Sequence, residues 1–243
     1  MKLYTFANRC TKEILRDPLN LLFGLGFPVV LLLLLSAIQA NVPVDLFEIA
    51  HLAPGIAVFG LSFLTLFSAT LIARDRESAM LQRLYTTPLK PIHYILGYML
   101  PMIPIAVIQC LVCYLVAMLL RLPVNIHILY AVLAIIPIAV LYIALGLLCG
   151  SVFNVKQVGG ICGALLTNLS AWLSGVWFDL ELMGEGFRKV ANLLPFVHAV
   201  ELERAAIRGV FENAIFHLLI LAGYVLAVTC LAVVFFLRQM KQQ

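Results

Sequence analysis

A chain of 243 residues that is 63% hydrophobic and 12% charged, with a mean hydropathy of +1.06, carries more apolar surface than a water-soluble core of this size hides. Ordinary soluble domains are about half apolar and about a quarter charged. A soluble enzyme or binding module is excluded and a polytopic membrane protein is left, so the net charge of +4 reads as a topology signal and not as a nucleic-acid footprint.

In chain order, Leu3, Phe6, Ala7, Cys10 and Ile14 fall at helical spacing, with Lys2, Arg9, Lys12, Glu13 and Arg16 on the other face. Residues 1–19 suit an amphipathic helix lying in the membrane interface; a frayed polar start to the first span is the alternative. A hydrocarbon core of about 30 Å needs roughly 20 helical residues. Six stretches qualify: Asn20–Gln39, Leu52–Ala73, Tyr94–Leu119, His127–Gly150, Val158–Phe178 and Ala214–Leu237. They lack the period-2 alternation of a barrel, and runs such as VVLLLLLSA are apolar all round, so they are predicted as helices. The expected fold is an all-α membrane protein of six transmembrane helices and no separate soluble domain.

The basic N-terminal region is long, the first apolar run is long enough to span, and Ile38-Gln39-Ala40 is a poor cleavage site. The start of the chain therefore does not read as a cleaved signal peptide. Pro28, Pro101, Pro104 and Pro137 fall inside predicted spans and imply local kinks. Gly146-x-x-x-Gly150 and Gly159-x-x-x-Gly163 would let helices approach closely, within one subunit or between two. The six cysteines lie in or beside spans; Cys110-x-x-Cys113 has redox spacing but no polar surroundings, and reads as packing. Residues 179–212 are too apolar for a free loop, and two short re-entrant outer helices broken near Pro195 fit them better.

With both termini inside, the inner segments hold eleven basic residues and the outer segments five, namely Arg121, Arg188, Lys189, Arg204 and Arg208. Eight acidic residues, Glu203 among them, fall outside. The positive-inside rule therefore places both ends in the cytoplasm.

What is missing narrows the chemistry. No G-x-x-x-x-G-K-[ST] phosphate loop, H-E-x-x-H or G-x-S-x-G occurs. His51, His93, His127, His198 and His217 are scattered, mostly near span ends, and the predicted spans are short of ionisable groups that ion-coupled pumps use as relays. No enzyme activity, metal site or cofactor is expected in the chain. A span bundle without its own engine draws energy for active transport from another protein.

Between the second and third predicted spans lies the charged island RDRESAMLQRLYTTPLKPIHY. A short helix over residues 76–85 would present Met80, Leu81 and Leu84 as an apolar knob, rimmed by Arg76, Glu77 and Arg83, with Pro88 and Pro91 stiffening the return. Such an element suits a groove on a soluble partner. A solvated loop whose arginines only anchor topology is the alternative.

The segment ARDRESAMLQRLYTTPLKPIHYILGYML resembles the cytoplasmic loop of type-2 ABC-transporter permeases, through Asp75, Arg76, Glu77, Leu81, Leu84, Thr87, Pro88 and Leu89. NLLPFVHAVELERAAIRG is similar to that family's segment before its last span, through Leu194, Pro195, Arg204 and Arg208. The resemblance implies a permease subunit of a multi-pass exporter in the plasma membrane of a bacterium, paired with a second, identical or different, permease subunit. ATP and Mg would be bound by a separate cytoplasmic ATP-binding cassette subunit. By the same resemblance residues 1–19 are the connecting helix, and Asp75, Arg76, Glu77, Met80, Leu81, Arg83 and Leu84 couple to the ATPase.

The substrate path implied by the resemblance lies at the dimer axis, lined by Phe59, Ser62, Phe63, Leu66 and Phe67 of the second span and Leu165, Asn168, Leu169 and Trp172 of the fifth. An aromatic stripe at this spacing is also what plain helix packing produces. The short loop Ala40–His51, where some relatives carry a large outer domain, favours an amphipathic or lipid-like cargo; a polysaccharide exporter of the same family is the alternative. Outside this class stand an ion-coupled secondary transporter and a non-transporting scaffold that recruits a cytosolic partner.

Overall fold

The computed structural model describes residues 2–42, 48–78 and 91–242, with side chains over 3–42, 48–78 and 92–238. Among these residues every regular element is helical. Helix α1 is Lys2–Leu15, α2 is Pro18–Asn41, α3 is Ile49–Glu77, α4 is Ile92–Leu119 and α5 is His127–Val152. Helix α6 covers 155–173, α7 is Glu185–Leu193, α8 is Pro195–Arg208 and α9 is Ala214–Gln242.

Five of these, α2, α3, α4, α5 and α9, are long and apolar enough to cross a membrane. The stretch expected as the fifth span, Val158–Phe178, is helical as α6 but stops at Leu173. Its Lys156, Gln157, Thr167 and Asn168 keep it less apolar than the other five.

Helix α3 is the pillar of the bundle, with 78% of its most apolar window buried against 17% for α9. Small residues make that burial possible. A Cβ on Gly146 of α5 would lie 1.8 Å from Ser68 Oγ and 2.6 Å from the Thr65 carbonyl; one on Gly150 would lie 2.6 Å from the Ala69 carbonyl. This glycine pair thus serves contact inside the chain, between α5 and α3, and Thr65 Oγ1 donates to the Tyr142 carbonyl at 2.8 Å in the same interface. Gly159 faces open space and Gly163 only touches Leu66.

Prolines act differently at each site. Pro28 has no N–H, and its ring crowds the carbonyl four residues back. The chain relieves this with a wide π-helical turn at Leu22–Gly26, in which Gly24 leaves room for the Phe67 ring. Pro101 sits at a break in α4, whereas α5 runs continuously through Pro137.

Helix α1 turns into α2 at Arg16–Asp17, where the Asp17 side chain accepts from the Asn20 amide. It buries Phe6, Cys10 and Ile14. Phe6 packs edge-on against Tyr94 and Tyr98 at 5.7 and 5.0 Å, over a gap left by Gly97.

Candidate coupling site

Of the expected coupling helix at 76–85, only residues 76–78 lie among the described residues. Helix α3 runs unbroken through Glu77, so Asp75, Arg76 and Glu77 are its last turn. Met80, Leu81, Arg83 and Leu84 lie outside the described residues.

Each of the three described side chains bonds a different neighbour. Asp75, 3% exposed, accepts from Arg9 Nη1 and Nη2 at 2.8 and 2.6 Å and from the Tyr98 hydroxyl at 2.7 Å. Arg9 also bonds Glu13 at 2.8 Å. Burial alone would lower the Arg9 pKa, but the hydrogen bonds and charges of Asp75 and Glu13 outweigh it, and the guanidinium is held more firmly charged than in water.

Arg76 Nη1 donates to the carbonyls of Gly150 and Phe153 at 2.7 and 3.1 Å, placing a cation on the unpaired carbonyls that close α5. Glu77 Oε1 accepts from the Val155 amide at 2.9 Å, placing an anion at the start of α6. There the Asn154–Gln157 capping box satisfies two more amides. Adjacent residues of opposite charge thus serve the opposite dipole ends of two helices, and one turn of α3 grips α1, α4, α5 and α6.

The residues expected to line a substrate path divide into two sets. Phe59 and Phe67 are buried within the chain, Phe59 stacking edge-on with Phe63 and Trp177. Ser62 is buried with its hydroxyl unpartnered, and Leu66 and Phe63 are half-buried. On α6 the other four form one exposed stripe: Leu165, Leu169 and Trp172 are 57%, 37% and 56% exposed, and Asn168 bonds only back to the Ala164 carbonyl. The opposite face of α6, through Val158 and Cys162, packs on Ala69 and Ala73 of α3.

At the other end of the bundle, α8 forms a second junction. It begins at Pro195 and ends at Gly209, whose φ of +71° suits glycine. Arg204, 5% exposed, donates to Glu201 at 2.7 Å, to the Gly175 carbonyl at 2.9 Å and to the His51 carbonyl at 3.5 Å. Arg208 bonds His51 Nδ1 at 2.7 Å. Glu203, grouped by sequence with the outer acids, is wholly buried and accepts from the Tyr114 hydroxyl at 2.8 Å. Burial raises its pKa to about 8 against the lowering effect of that bond. His198 and His217 also meet, Nδ1 to Nδ1 at 2.8 Å, while His198 Nε2 donates to the Asn192 carbonyl.

Sequence reading missed Arg9, Tyr98, Tyr114 and Glu203 as site residues. Arg9 had a signal, since it lies three residues after Phe6 and so borders the buried face. Tyr98 and Tyr114, both set in the long apolar run of α4, had none.

A search of curated proteins finds no match to this chain. Residues 1–207 match the ABC-2 type transporter family, and with most of its length so matched, the chain belongs to the ABC-2 type transporter family.

Proposed function

We propose that the chain is the membrane-spanning permease subunit of an ATP-driven exporter, powered by a separate ATP-binding cassette subunit that docks on residues 75–84. Family membership supports the general class: ABC-2 permeases are membrane transport subunits that generally work with an ATP-binding cassette partner. The observation that carries the finer reading is the triple grip of Asp75, Arg76 and Glu77. A push on the segment that follows Glu77 moves the end of α3, and with it α1, α4, α5 and α6, because each is bonded to that turn. The turn is a lever already attached to its load.

In this reading α1 lies in the cytoplasmic interface, both termini are cytoplasmic, α6 completes a sixth crossing, and α7 and α8 dip into the outer leaflet. The apolar stripe of Leu165, Leu169 and Trp172, with Asn168 among them, faces a second permease subunit and the cargo path. The cargo is amphipathic or lipid-like, since that stripe offers one amide among apolar groups. ATP and Mg reside in the partner.

The test is co-expression with candidate ATP-binding cassette proteins from the same organism, followed by reconstitution of any complex that forms. Uptake into inverted vesicles that requires both chains and ATP supports the proposal. Uptake driven by an ion gradient alone, or none with the complex intact, contradicts it.

A further inference from the structure

Beside the Arg9–Asp75 bond, a cavity of about 310 Å³ opens between the α1–α2 turn and α3. Its walls are apolar at Ile14, Phe67 and Leu71, all buried. Its rim carries Glu13, Arg16, Asp17 and Arg74.

The rim charges are incompletely used. Arg9 serves Asp75 and one oxygen of Glu13, while the other, Oε2, is buried with no hydrogen-bond partner. Arg74 reaches Asp17 only at 3.4 Å, beyond the usual charge-assisted range, and is 60% exposed. Arg16 makes no ion pair among the described residues.

Charge decides what fits. Arg9, Arg16 and Arg74 balance Glu13, Asp17 and Asp75, so the site is neutral with its charges held apart. A purely anionic ligand would leave the acids opposed to it; a zwitterion answers both signs. A primary ammonium has three N–H donors for Glu13 and Asp17, whereas a trimethylammonium has none and calls for an aromatic cage. Phe67 is the one ring in the lining. Pro18 and Asn20 of α2 also line the cavity, and on the same helix Leu19, Leu22 and Phe23 are 62%, 66% and 48% exposed, a surface along which acyl chains would run.

We propose that this cavity binds the headgroup of a phosphatidylethanolamine molecule from the surrounding leaflet. The phosphate sits on Arg16 and Arg74, the ammonium on Glu13 and Asp17, and the chains lie over α2 and the Phe67–Leu71 wall. Bound there, the lipid fastens the α1–α2 turn to the last turns of α3. The site does not depend on the transport reading, and its test needs no ATPase.

The full chain, delipidated in detergent, is titrated with phosphatidylethanolamine, phosphatidylcholine and phosphatidylglycerol of matched chains, and binding is read by native mass spectrometry. The expected result is phosphatidylethanolamine bound about tenfold more tightly than either other lipid. Glu13→Gln should remove most of that preference, Arg74→Ala should weaken binding of the phosphate common to all three lipids, and Leu182→Ala, at an exposed residue, should change neither. Arg74 is exposed enough for its variant to fold. Soluble glycerophosphoethanolamine should not compete, because it lacks the chains. Equal binding of the three lipids, preference for phosphatidylglycerol, unchanged selectivity in Glu13→Gln, unchanged affinity in Arg74→Ala, or competition by the soluble headgroup would each overturn the assignment.

Discussion

Arg9 and Asp75, 66 positions apart, share two hydrogen bonds of 2.8 and 2.6 Å, with Tyr98 donating a third to the same carboxylate. The pair sits at the end of the most buried helix in the bundle. Breaking a buried ion pair from one side leaves an uncompensated charge, which costs about 3–5 kcal/mol. A neutral donor to a carboxylate contributes less, about 1.5–3 kcal/mol. Thermal unfolding in detergent should therefore rank Asp75→Ala as more damaging than Tyr98→Phe. An exposed control, Glu181→Ala, should be silent. Equal melting of all three would mean the cluster carries no stability.

The two glycine pairs make opposite predictions. Gly146→Ala would drive a methyl into Ser68 and the Thr65 carbonyl, overpacking that costs about 1–3 kcal/mol. Gly159→Ala meets nothing within the chain and should leave its melting temperature unchanged or slightly raised. No loss of stability for Gly146→Ala would contradict the α3–α5 interface, and a loss in the folded single chain for Gly159→Ala would contradict the open surroundings of that glycine on α6.

Glu203 makes stability depend on pH. Its carboxyl titrates near 8 when folded and in the usual carboxylate range, about 4.3, when unfolded. Between those values the folded state binds the extra proton, so stability falls as pH rises and its loss is complete above about 8. Glu203→Gln keeps a neutral side chain there. The wild type should lose several degrees relative to Glu203→Gln between pH 5 and pH 8.5. Parallel pH profiles for the two proteins would refute a protonated Glu203.

Sidedness can be read by labelling. A probe cysteine at Glu185, exposed at the start of α7, should react with an impermeant maleimide on intact cells. A probe at Arg16, exposed beside the α1–α2 turn, should react only after permeabilisation. Reaction of both from the same side would overturn the arrangement of the two ends.

Much of the helical framework was legible because periodicity and apolar length are local properties. Phe6, Cys10 and Ile14 could be grouped from spacing alone, and they are buried together. Helix α6 was harder, since Lys156 and Asn168 dilute an apolar run without stopping a helix. The bonding of the last turn of α3 was illegible for a different reason. The partners of Asp75, Arg76 and Glu77 lie at Arg9, Tyr98, Gly150, Phe153 and Val155, and no short window of sequence holds both halves of such a contact. The burial of Glu203 was illegible because an acid on an amphipathic helix looks solvated until a tyrosine from another helix covers it.

The most direct measurement is ATP-driven uptake by the reconstituted complex carrying Leu81→Ala. Docked in a partner groove, Leu81 contributes about 1.5–3 kcal/mol of buried apolar contact, so its truncation should weaken ATPase binding by roughly one to two orders of magnitude. ATP turnover and uptake should fall with it, while membrane insertion and the melting temperature of the permease stay at wild-type values. Wild-type partner binding and wild-type uptake in Leu81→Ala would contradict the coupling role assigned to residues 75–84.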